Sequence, residues 1–134
     1  MKYLKKYNLF ESYFNEAIID ELDDILLELK DLGYFVDLRV INPNPFTTKI
    51  RVFIGGIAKS NFTYDGVVKE VFERMTDYME NEGFNIVDVF YSTPEEPASH
   101  FSISLRDYKN GVLIGKQNKE IDIFHHLQIS FTPK

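Results

Sequence analysis

Two stretches of this chain carry the same signals in the same order, and that doubling limits the fold more than any other feature. Advanced by 50 positions, Ile18, Leu22, Ile25, Leu29 and Gly33 fall on Val68, Phe72, Met75, Met79 and Gly83. Advanced by 51, Val36-Asp37-Leu38 falls on Val87-Asp88-Val89, Pro43 on Pro94, and Ile50, Val52 and Ile54 on Phe101, Ile103 and Leu105. Each stretch opens with apolar residues at the three-and-four spacing of an amphipathic helix and continues with two runs of alternating polarity, the period of strands. One inserted residue near the helix–strand junction accounts for the change of offset.

The expected elements follow from these periods. A helix is expected over 15–32, with Asn15 or Ser12 as a cap and Gly33 as its end. Strands are expected over 34–41 and 49–54, separated by the loop Asn42-Pro43-Asn44-Pro45. Asp65 caps a second helix that runs to about residue 81, followed by strands over 84–91 and 100–106. Asn110-Gly111 signals a type I′ hairpin turn within 107–119, and a last strand is expected over 121–131. An α-β-β unit cannot bury its own apolar face, but two such units can merge their strands into one sheet with both helices on one side. The expected fold is therefore α+β: a two-layer sandwich built from a doubled α-β-β unit, ferredoxin-like in permuted chain order. Its antiparallel sheet has four or five strands. Residues 13–134 form the single domain, with pseudo-repeats over 15–56 and 65–106, and residues 1–12 stand ahead of it as a separate segment.

At 134 residues the chain is long enough for one core without staples, and its absence of cysteine excludes disulfides and thiolate chemistry. No apolar run approaches the length of a membrane helix. The net charge of −6 disfavours non-specific nucleic-acid binding, which needs a basic footprint. Gly55-Gly56-Ile57-Ala58-Lys59-Ser60 ends in Lys-Ser but lacks the glycines of a phosphate loop. The acidic pairs around Asp20, Asp23 and Asp24 fall on a solvated helix face, where nothing sets one carboxyl apart from another. No nucleophile elbow is present.

With helices on one side, the other face of the sheet is expected to show Arg39, Arg51, Phe53, Phe90, Phe124, His100 and His126. Aromatics interleaved with arginines suit a platform for single-stranded nucleic acid. They equally suit a sheet-to-sheet homodimer, another protein partner, or cover by the N-terminal segment. Asp37, Asp88 and Asp122 share this face, which favours the protein readings. If Arg106 lies opposite Glu120, His100 sits opposite His126, while His125 takes the inward parity of Leu127 and Ile129. Two histidines without a third ligand do not make a metal centre, so no cofactor or metal is expected, and a metal-dependent enzyme is the weakest alternative.

Residues 1–12 are basic and aromatic, with Lys2, Lys5 and Lys6, and give way abruptly to an acidic helix. This segment resembles the leaders of head proteins in large contractile-tailed bacteriophages. Those leaders begin Met-Lys and end in an acidic tripeptide, and the prohead protease cuts after a Glu preceded two places earlier by Leu or Ile. Leu9-Phe10-Glu11 fits that pattern, with the cut before Ser12. Phe10 and Ser12 are larger than the residues the family favours at those places. The resemblance implies a phage accessory protein in the cytoplasm of an infected bacterium, with packaging into the virion. Residues 1–11 carry three lysines and one glutamate, so their removal would leave a more acidic domain. The alternative is an amphipathic first turn, in which Tyr3, Leu4, Tyr7, Leu9 and Phe10 pack on the sheet or a partner.

Overall fold

The computed structural model describes residues 2–44, 47–111, 113–114 and 120–134. The chain runs α1 (Lys2–Asp31), β1 (Phe35–Asn44), β2 (Thr47–Gly55), α2 (Gly66–Asn81), β3 (Phe84–Thr93), β4 (Glu96–Ser102), α3 (Leu105–Lys109) and β5 (His126–Pro133). The five strands form one antiparallel sheet in the order β1-β2-β5-β3-β4. α1 and α2 pack together over one face of it, which gives the two-layer α+β arrangement that the periodicities require.

Burial follows the sequence pattern closely in the helices. Ile18, Leu22, Leu26 and Leu29 of α1 are buried, as are Val68, Val71, Phe72, Met75 and Met79 of α2. They close on Ile50, Val52 and Ile54 of β2 and on Leu127, Ile129 and Phe131 of β5, all six fully buried. At about 1.5–3 kcal/mol for each large apolar side chain taken out of water, this shared layer is the main stabilising term.

Three expectations need correction. The first concerns α1, which does not begin near residue 15 but is helical from Lys2 onward. No Gly or Pro interrupts residues 1–31, so nothing in the backbone separates the leader-like segment from the helix behind it. The packing expected of Tyr3, Leu4, Tyr7, Leu9 and Phe10 lies outside the described side chains.

The second concerns which strand completes the doubled unit. β5, not β4, takes the central place beside β2. The four strands β1-β2-β5-β3 with two helices on one face make the permuted ferredoxin-like arrangement, and β4 is an added edge. Pairing shows the true correspondence. Leu38 and Val52 face each other in the first unit, as Val89 and Ile129 do in the second. Val52 and Ile129 are in turn partners across the centre of the sheet. The inserted residue is also located: the β3 register shifts between Ile86 and Asp88, so Val87 is the extra residue of a bulge and stands 40% exposed. It lies inside the strand, not at the helix–strand junction.

The third concerns residues 105–123. Leu105 and Arg106 do not extend a strand. They open α3, whose N-cap Ser104 accepts a hydrogen bond from the Asp107 amide at 3.1 Å. Gly111, at φ 76°, closes that helix, so Asn110-Gly111 is a helix end and not a hairpin turn. Val112 and residues 115–119 of the expected hairpin lie outside the described residues. Ile121, Asp122 and Ile123 are irregular, and Phe124 makes an isolated bridge to Phe62.

Candidate binding face

Strand pairing sets the uncovered face of the sheet into three cross-strand rungs. The first runs Arg39, Arg51, Ser130, Asp88 across β1, β2, β5 and β3. The second runs Asp37, Phe53, Gln128, Phe90 and reaches Ser102 on β4. The third runs Phe35, Gly55, His126, Ser92. Because the side-chain period of a strand is two, every member of these rungs points away from the helices.

Arg39, Arg51, Phe53, Phe90, His100 and His126 therefore share one face, as expected. Phe124 does not. It is fully buried, stacked on Phe62 at 5.8 Å and edge-on to Tyr91 at 5.9 Å, on the helix side of the sheet. The physical reason is that β5 begins only at His126, so parity counted back from the strand fails at Phe124. His125 is corrected too. It sits at the bend ahead of β5, half-exposed, with its amide donating to the Ser92 carbonyl at 2.8 Å.

Charge on the face is mostly consumed internally. Arg39 pairs with Asp37 at 2.7 Å, and Lys49 with Asp88 at 3.0 Å. The buried Nε of Arg51, the second oxygen of Asp88 and the hydroxyl of Ser130 meet no hydrogen-bond partner among the described residues. All three belong to the first rung. Aromatic contact dominates further along: Phe53 lies over His126 with ring centroids 4.9 Å apart and meets Phe35 edge-on at 5.9 Å. Phe35 is 58% exposed. A cavity of about 250 Å³ opens between Phe35, Phe53, Gly55, Gly56, Ser60 and the two histidines His125 and His126.

His100 and His126 do meet, but not through the expected pairing. Arg106 lies in α3 and cannot set that register, and β4 is separated from β5 by β3. The rings come together above Ser92, whose small side chain on β3 leaves room for both. Ser92 Oγ lies 2.6 Å from Nδ1 of His126, and Nε2 of His126 lies 3.4 Å from Nδ1 of His100. Burial, reinforced by His100 and then His125, pushes the His126 pKa down to about 4, so its ring is neutral at neutral pH. A serine beside a histidine resembles an activated nucleophile. Ser92, however, has no exposed surface, so no substrate carbonyl reaches its hydroxyl.

Sequence reasoning missed Ser92, Phe35 and Ser130. Ser92 shares the outward parity of Asp88 and Phe90, which was the available signal. Ser130 shares the outward parity of His126, which was the signal for it. Among the described residues no helix is long and apolar enough to cross a membrane. Comparison with protein-family models, curated proteins and solved structures found no match to this chain.

Proposed function

We propose that this chain is a small non-enzymatic accessory protein of a bacteriophage that acts by presenting its open sheet face to a protein partner. The observation that carries the binding reading is the composition of that face. Phe35, Phe53 and Phe90 share the face with Arg51, while Arg39 and Lys49 are engaged by Asp37 and Asp88. Aromatic residues and arginine are what protein interfaces concentrate. A nucleic-acid backbone asks for several free cations along its path, and these ion pairs remove two of them.

The phage setting rests on the leader resemblance of residues 1–12. Within it the protein works in the cytoplasm of the infected bacterium and, once packaged, in the virion. The bond between Glu11 and Ser12 falls inside α1, so a protease must first unwind the beginning of that helix.

A single-strand platform is the second reading, favoured by Phe53 and Phe90 flanking Gln128 on one rung. One experiment separates the two. A photo-crosslinking residue at position 90, in the native source, is expected to yield a protein adduct that Phe53→Ala abolishes. Labelled oligo(dT) is expected not to bind at low salt. Salt-sensitive oligo(dT) binding, lost on Phe53→Ala, would replace the protein reading with the nucleic-acid one. For the leader, protein recovered from virions should begin at Ser12 and Glu11→Gln should prevent that cut. A virion protein that begins at Met1 would end the idea that the leader is cut.

A further inference from the structure

Gly55 is an unexpected residue where it stands. It ends β2 but is paired on both sides, to Phe35 of β1 and to His126 of β5. Its backbone is not in the left-handed region, and a Cβ there would find only ordinary contacts. Neither a turn nor a close approach within the described chain calls for glycine, which weakens a strand. Its neighbour Gly56 differs, because the Ser60 carbonyl closes over it. A glycine in a paired strand often marks a place where a ligand or another chain comes close. We propose that Gly55 floors a slot on the open face that receives one aromatic side chain of the protein partner. This inference rests on the protein-binding reading and names the group that would anchor the partner.

The first support is shape. The missing side chain leaves a gap in the third rung, with Phe35 on one side of it and His126 on the other. Phe53, two residues earlier on the same strand, adds a third wall. It meets Phe35 edge-on at 5.9 Å and lies over His126 at 4.9 Å. Aromatic rings prefer such edge-on and offset neighbours, with centroids about 4.5–7 Å apart. Phe35 is more than half exposed, so this cluster is open to a further ring.

The second support is size. The cavity measures about 250 Å³. Sites that enclose a whole small molecule run from about 300 to 1,000 Å³, so this one suits a single ring at the end of a side chain.

The third support is chemistry. No acid, lysine or arginine lines the slot among the described residues, and burial keeps the His126 ring neutral. A charged group would lose its hydration there with nothing to replace it. An aromatic ring has no such loss, and aromatic anchors seated in pockets carry much of the binding energy of protein interfaces.

The test uses the full chain and has two arms. In the first, N-acetyl-phenylalaninamide is titrated and followed by NMR. Saturable shifts are expected at the amides of Gly55 and Gly56 and at the rings of Phe35 and Phe53. N-acetyl-leucinamide should bind severalfold more weakly. Gly55→Val fills the slot, and Phe35→Ala removes a wall at an exposed position. Both should keep the fold by circular dichroism and lose the shifts. In the second arm, the same substitutions should lower the yield of the protein adduct at position 90 by about tenfold or more.

An absence of shifts at the solubility limit of the probe would overturn the slot. So would shifts that survive in Phe35→Ala and Gly55→Val, equal binding of the leucine probe, or tighter binding of thymidine, which would give the slot to a nucleobase. An adduct that survives both substitutions would overturn the anchor and leave the protein-binding reading standing. No adduct with the parent chain would remove that reading, and the anchor with it.

Discussion

The hydroxyl of Tyr108 lies 2.7 Å from the hydroxyl of Thr76, and this buried contact ties α3 to α2. Tyr64, Thr76 and Tyr108 line one pocket. Burial raises the pKa of both tyrosines well above the ordinary phenol value; at Tyr64 the neighbouring Tyr108 adds to it. An acid whose folded pKa is raised contributes stability below its unfolded pKa, near 10, and loses it as the pH climbs further. Thermal unfolding between pH 8 and 11 should show the melting temperature falling above about pH 10. Phenolate absorbance should show tyrosines that ionise only on unfolding. Tyr108→Phe should cost about 1 kcal/mol at neutral pH and soften the alkaline loss. A flat alkaline profile would place these phenols in water.

Phe124 and Phe90 offer a direct comparison between the two faces of the sheet. Phe124→Ala empties a fully buried position between Phe62 and Tyr91 and should cost about 3–5 kcal/mol. Phe90→Ala removes a half-buried ring from the open face and should cost about 1 kcal/mol or less. Urea denaturation measures both. Equal losses would mean that the two phenylalanines share an environment.

Gly55 and Gly56 are neighbours with opposite tolerances. A methyl group on Gly56 would collide with the Ser60 carbonyl, which closes tightly over it. On Gly55 it would meet Phe35 at 3.7 Å and Phe53 at 4.0 Å, both ordinary contacts. Gly56→Ala should therefore destabilise by about 1–3 kcal/mol, while Gly55→Ala should change stability by under about 1 kcal/mol. Melting temperatures of the two variants, compared with the parent, decide the point.

The bulge at Val87 leads to a deletion experiment. Without Val87, Ile86, Asp88 and Val89 alternate inward, outward, inward, as Val36, Asp37 and Leu38 do in the first unit. Deleting Val87 should leave a folded protein. Deleting Val89 should not, because it moves the residues on one side of the gap to the wrong face. If both deletions unfold the chain, the bulge is required by its surroundings.

Much of this architecture is legible in the sequence. The apolar stripes from Ile18 to Leu29 and from Val68 to Met79 identify both helices and their buried faces, and the parity of Ile50, Val52 and Ile54 identifies the inner strand. What is hidden is partner choice. Phe101, Ile103 and Leu105 alternate as well as Leu127, Ile129 and Phe131 do, and local period does not say which run reaches the centre of the sheet. Ser104 and Asp107 carried a helix-start signal three residues apart that the Asn110-Gly111 pair obscured. Outward parity locates the open face, and it fails at Phe124 because the strand begins only at His126. The approach of His100 to His126 emerged from a false register, since the real contact passes over Ser92 on an intervening strand.

The central place of β5 shapes how the chain comes off the ribosome. The strand that joins the two hairpins is translated after both of them. Until then β2 and β3 each present an unsatisfied edge, and the helices cover a sheet still missing Leu127, Ile129 and Phe131. The nascent protein must hold two half-built layers apart from each other, and from neighbouring chains, until its final strand slides between them.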